Sequence, residues 1–165
     1  MKLAQITEKN IYDVMALRLK NNQETFVRDP QFSLAESYYY RDDDTVLLFA
    51  LEEQGKVVGF LSLITEIEEK TVYIWRIVIG DQFQSKGYGR NALRSIEDYV
   101  RSLEGYEKIV SDYVMNNVAM KHLLESEGYI ETGKQEEWNE IIMTKRLVKS
   151  TILCKILYNV LPVTH

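Results

Sequence analysis

Cysteine is nearly missing: the 165 residues contain Cys154 alone, beside only two histidines, His122 and His165. One thiol cannot close an intrachain disulfide, and three such residues so far apart offer no metal-ligand spacing. The expectation is a reducing, cytoplasmic setting and no bound metal. Proline and glycine are scarce too, at 2 and 8 residues against 45% hydrophobic and 27% charged, which excludes collagen-like repeats and low-complexity disorder. No apolar run approaches the ~18 residues that a membrane-crossing helix needs, and the stretch after Met1 is polar (Lys2, Gln5, Thr7, Glu8) where a secretory signal is apolar. Neither membrane spanning nor secretion is expected. Cations are in deficit: Lys and Arg number 20 against 25 Asp and Glu, a net charge of −5. Nucleic-acid affinity rests on clustered cations, so no nucleic-acid partner is expected, and a cationic small molecule suits the balance better.

What is present is the patterning of one α/β domain. Lys2 to Ile6 reads as a short strand, and Asn10 can cap a helix with Ile11, Val14, Met15 and Leu19 on one face. Ser33-Leu34-Ala35-Glu36 has the form of a capping box, so a second helix is expected to start there and to end by Arg41, before three adjacent aspartates. Two apolar runs, Val46 to Leu51 and Val57 to Ile64, flank Glu52-Glu53-Gln54-Gly55 and predict an antiparallel hairpin. Val72 to Ile79 is rich in β-branched and aromatic residues and reads as a central strand buried on both faces. Helical spacing of Ala92, Leu93, Ile96, Tyr99 and Val100 follows, then a strand over Lys108 to Tyr113. Asn117 can cap a further helix burying Met120, Leu123 and Leu124, with Gly128 at its end, before a hairpin of Tyr129 to Thr132 and Glu140 to Leu147. Beyond Leu147, Ile152, Leu153, Ile156, Leu157, Val160 and Leu161 form one helical stripe. Packing on its own domain is the first expectation for that stripe, an oligomer contact such as a homodimer the second, and a membrane-surface helix the third.

The segment between the central strand and the next helix carries the chemistry. It runs Ile79-Gly80-Asp81-Gln82-Phe83-Gln84-Ser85-Lys86-Gly87-Tyr88-Gly89-Arg90. A helix N-terminus offers unpaired N–H groups and a partial positive charge, and glycines let a phosphate come close to them. No Gly-x-x-x-x-Gly-Lys-Ser/Thr exists, so a P-loop is excluded. A dinucleotide fingerprint is nearly met by Gly87-x-Gly89-x-x-Ala92, with Asp112 at the end of the following strand as a ribose ligand. The glycines, however, come seven residues later than that fold places them, and the upstream chain reads as hairpins.

Gln84-x-x-Gly87-x-Gly89 in this setting resembles the acetyl-CoA pyrophosphate loop of the GNAT acyltransferase superfamily. The resemblance extends through Gln23-Glu24-Thr25-Phe26-Val27, Ser33-Leu34-Ala35-Glu36, Val58-Gly59-Phe60, Trp75-Arg76, Asn116-Asn117-Val118-Ala119, Gly128-Tyr129 and Asn139-Glu140, and is similar to the bacterial spermine/spermidine (diamine) N-acetyltransferase branch. It implies an α/β (α+β) fold with a mixed, mostly antiparallel sheet flanked by helices over residues 1–147, leaving 148–165 as an amphipathic extension. It also implies acetyl-CoA as co-substrate and a small amine, of the polyamine kind, as acceptor. The pantetheine would lie along Ile77, Val78 and Ile79, with a backbone N–H near Val78 facing the oxyanion. The pyrophosphate would lie on Gln84, Ser85, Lys86, Gly87, Tyr88, Gly89 and Arg90, with Asn117 also at the cofactor. The amine would attack the thioester directly. A dinucleotide-binding protein and a CoA-binding module that has lost catalysis remain the alternatives.

The chain departs from the family at one place. The tyrosine that commonly donates a proton from the helix after the asparagine falls on Leu124 or, counted from the other side, on Leu123. His122 is adjacent but points about 100° away. Tyr113 and Tyr129 are the substitute hydroxyls, while Glu24, Glu36 and Glu140 match family positions for amine recognition. Between Tyr73 and Ile79 there is no carboxylate to act as a base. General acid and base are therefore unassigned.

Overall fold

The computed structural model describes residues 1–42 and 45–148. Its strands are β1 (Lys2–Gln5), β2 (Val46–Glu53), β3 (Lys56–Glu66), β4 (Thr71–Ile79), β5 (Lys108–Val114), β6 (Ile130–Gln135) and β7 (Glu140–Arg146). Its helices are α1 (Ile11–Ala16), α2 (Pro30–Tyr39), α3 (Tyr88–Ser102) and α4 (Val118–Ser126). The strands make one sheet in the order β1-β2-β3-β4-β5-β7-β6. Every neighbouring pair is antiparallel except β4 and β5, which run parallel with α3 as their crossover. This is the mixed, mostly antiparallel sheet expected from the sequence. A doubly wound parallel sheet, which a dinucleotide-binding fold requires, is not what the chain builds.

Each sheet face has its own core. Leu61, Leu63, Val72 and Ile74 pack with Ala92, Leu93, Ile96 and Val100 of α3 and with Leu124 of α4. Val14 and Leu17 cover Ala50, Phe60 and Val78 on the other face. At Gly59 a Cβ atom would come within 2.4 Å of the Val78 carbonyl, so only glycine lets β3 and β4 lie this close.

Three expectations change. α1 stops at Ala16 and leaves Met15 exposed. Asn10 does not cap it; its side chain accepts from the Thr7 N–H at 2.8 Å and donates to the Gln5 carbonyl at 3.0 Å, closing the turn out of β1. α2 begins before the Ser33 box, because Asp29 accepts from the Phe32 N–H at 2.7 Å and Pro30 supplies a first helical residue that needs no N–H partner. Ser33 is left inside the helix, and Glu36 is free to reach across to β4. Finally, β4 is central, but Trp75, Arg76 and Ile77 are only half-buried. The stripe from Ile152 to Leu161 lies outside the described residues.

Candidate active site

β4 and β5 pair from Thr71↔Lys108 to Ile74↔Ser111 and no further, although they continue to Ile79 and Val114. Trp75 is an extra residue in β4 relative to β3, whose register shifts between Ser62 and Leu63. Such a bulge bends its strand, and here the two parallel strands part beyond it. The gap opens into a cleft of about 1150 Å³. Along its wall, residues 75–79 turn toward β5 a backbone edge that no strand of the described residues covers, a ready partner for an extended ligand.

At one end of this edge the chain turns into the glycine loop. Gln84 fastens it: Nε2 donates to the Ile79 carbonyl at 2.9 Å and meets the Gln23 side chain at 2.8 Å. Ser85 and Gly87 adopt left-handed backbone, at φ 61° and 82°. α3 then starts with no side-chain cap, and its first internal bond runs from the Asn91 N–H to the Gly87 carbonyl. The N–H groups of residues 88–90 precede that bond, as the donors of a helix N-terminal anion site do. Asn117 caps α4 by accepting from the Met120 N–H at 3.2 Å.

Ile77, Val78, Ile79, Gln84, Ser85, Gly87, Tyr88, Gly89 and Asn117 all line the cleft. Lys86 and Arg90 are not among its walls. The Lys86 ammonium donates to the Gln82 carbonyl at 2.9 Å, and Arg90 pairs with Glu127 at 2.9 Å. Glu127 is held below the usual carboxylate range by its hydrogen bond from Arg94 first, with Arg90 adding to the effect. The two cations that the sequence placed at a phosphate are thus engaged elsewhere.

Four carboxylates, Glu24, Glu36, Asp112 and Glu140, line the same cleft, together with Arg28 and Arg76. Glu36 lies 2.6 Å from the Arg76 guanidinium, an ion pair whose N–H does not point along the line between the atoms. Arg76 also stacks on Trp75, 4.3 Å from the ring centre. Asp112 has a buried Oδ1 with no hydrogen-bond partner, and burial pushes its carboxyl upward. Glu140 is raised by burial first and by the charge of Asp112 second. Tyr73, beside them, is pushed up to about 12, chiefly by donating to Glu69 at 2.6 Å and then by burial. In the sequence Asp112 entered only through the disfavoured dinucleotide alternative, as a ribose ligand. The signal that could have found it is a lone carboxylate inside the apolar strand Lys108–Val114.

The candidate hydroxyls separate as clearly. Of the two leucines at the family's tyrosine position, Leu123 lines the cleft and Leu124 is fully buried; neither offers a proton. His122 is exposed and 3.7 Å from Glu125. Tyr113 lines the cleft. Tyr129 does not: its hydroxyl is buried without a partner, and burial, then Glu97 and Glu127, push it well above the usual phenol range.

Residues 11–129 match the model of the acetyltransferase (GNAT) family. The chain is 24% identical over 156 residues to a spermine/spermidine N(1)-acetyltransferase of Bacillus subtilis, covering 89% of this chain and 99% of the relative. Its fold is similar to that of a spermidine N-acetyltransferase from Vibrio cholerae solved with CoA and spermine, with a TM-score of 0.72 and 18% identity over 88% of this chain and 94% of the other. A ribosomal L7/L12 alpha-N-protein acetyltransferase solved with CoA is equally similar in fold, at a TM-score of 0.74 and 16% identity over 89% and 94% of the two chains.

Proposed function

The chain belongs to the acetyltransferase (GNAT) family, and on that premise we propose that it acetylates polyamines, moving the acetyl group of acetyl-CoA to a primary amine by direct attack while both are bound. The observation that carries the reading is the lining of a single cleft. The start of α3, with its uncapped backbone N–H groups, and the carboxylates of Glu24, Asp112 and Glu140 belong to the same cleft, where Glu36 is paired with Arg76. The N–H groups suit a pyrophosphate and the carboxylates suit a chain of ammonium groups.

Acetyl-CoA brings the activated acetyl group; the chain's part is to hold and orient. The open edge of Ile77, Val78 and Ile79 fits an extended pantetheine, and the loop from Gln84 to Gly89 fits the pyrophosphate. Asp112 and Glu140 then hold the ammonium beside the thioester, and Glu24, in the same lining, serves a second charge. Positioning two reactants can supply roughly 7–11 kcal/mol of a barrier, so no covalent acyl-enzyme is needed. An aliphatic ammonium has a pKa of about 10.4, as lysine does, and must lose a proton before it attacks. A carboxylate with a buried, unpartnered oxygen next to that ammonium is well placed to receive it.

The structural likeness to a protein-N-terminus acetyltransferase favours a peptide as the second reading. A panel of spermidine, spermine, a diamine, an aminoglycoside and a short peptide, assayed by thiol release from acetyl-CoA, separates the two. Polyamines are expected to give the highest kcat/KM; activity confined to the peptide rejects the polyamine reading. Calorimetry with acetyl-CoA and NADH runs alongside. Binding without turnover on any amine returns the chain to a cofactor-binding module.

A further inference from the structure

We infer that the Tyr113 hydroxyl supplies the proton that the departing CoA sulfur takes up, in place of the tyrosine that α4 lacks. The inference rests on the acetyltransferase reading and concerns which group of this chain completes the reaction.

Tyr113 stands two residues beyond Ile74↔Ser111, the last β4–β5 pair, and so at the mouth of the fork. Side chains alternate along a strand. Tyr113 shares the face of Ile109 and packs with Leu124 and the α3 residues Leu93 and Ile96. Asp112 takes the opposite face, where Glu140 also lies, across from Val114 in the β5–β7 register. A thioester between the parted strands thus has carboxylates on one side and a phenol on the other. The amine is served from the first side and the leaving group from the second.

The hydroxyl is also unengaged. Its ring is held in the core at 5% exposure, so its position is fixed, yet among the described residues the oxygen has no hydrogen-bond partner. Unlike the Tyr129 oxygen, it is not sealed in, and Tyr113 forms part of the cleft wall. Where the family has tyrosine on the helix, this chain has leucine on the helix and tyrosine on the neighbouring strand.

In the step, the amine nitrogen forms a bond to the acetyl carbon and the carbon–sulfur bond breaks. The O–H proton of Tyr113 goes to sulfur, giving CoA as the thiol. The proton shed by the acetylated nitrogen returns through water to the phenolate, which restores the hydroxyl. Acetyl-CoA and amine become CoA and amide, with no other reactant.

The test is Tyr113→Phe, which removes only a hydroxyl that no other described residue uses. kcat for spermidine is expected to fall by about 10²-fold or more, with KM for acetyl-CoA and the melting temperature unchanged. A second readout does not depend on turnover: wild type should bind CoA about fivefold more tightly than desulfo-CoA, the margin of one hydrogen bond, and Tyr113→Phe should bind both equally. A variant with wild-type kcat, or one that keeps the CoA preference, overturns the role of Tyr113 while leaving the acetyltransferase reading intact. A wild-type protein that binds no acetyl-CoA overturns both.

Discussion

Asp112 costs the fold something. Its carboxyl is raised by burial, so the charged form is disfavoured in the folded state. A carboxylate raised in this way contributes stability that is fully present below its unfolded pKa, near 3.9, and is lost as pH rises through the folded value. Asp112→Asn, neutral at every pH, should therefore melt above wild type at pH 7, and the gain should vanish near pH 3.5. The same variant should bind spermidine at least tenfold more weakly, and a lower melting temperature at pH 7 would show that Asp112 is a structural partner and not a binding group. Retention of an unfavourable buried charge in a cleft wall is what a cation site demands. Glu140, raised partly by Asp112, makes the pair's preference for an incoming ammonium stronger than that of either group alone.

At the scale of elements, the glycine loop and the first turn of α3 are the proposed anion site. Gly89 is the second residue of α3, and a Cβ atom there would approach Leu123 Cδ2 to 3.1 Å. Gly89→Val would therefore push branched carbons toward Leu123 of α4, and both residues line the cleft. Acetyl-CoA affinity should drop by about tenfold or more, with the melting temperature within a few degrees of wild type. Unchanged affinity in a folded variant would remove the pyrophosphate from this loop.

The sequence made these elements visible because their signals are periodic or punctuated: α3 by Ala92, Leu93, Ile96 and Val100, its start by Gly87, and the hairpin of β2 and β3 by Gly55. It misplaced the start of α2 because Ser33 and Glu36 satisfy a local capping pattern that Asp29 and Pro30 satisfy three residues earlier. The burial of β4 was overestimated because a strand pattern cannot report where its neighbour departs. That Asp112 lies beside Glu140 and that Arg90 pairs with Glu127 could not be read from the sequence for the same reason, because such pairings are set only by the assembled sheet and helices.

At the scale of the molecule, one irregularity organises the function. A sheet paired along its whole length would have no cleft. Here the bulge at Trp75 and the end of the β4–β5 ladder at Ile74 open one between two buried cores. The walls stand on these two cores, so the proposed donors, carboxylates and Tyr113 are held in place before any ligand arrives, and positioning is the main source of rate in the proposed reaction.

The central claim, direct transfer between two bound reactants in this cleft, is tested most directly by initial rates with acetyl-CoA and spermidine each varied at several fixed concentrations of the other. Reciprocal plots that intersect are the result predicted for attack in a ternary complex. Parallel lines, the mark of an acetylated enzyme formed before the amine binds, would contradict it.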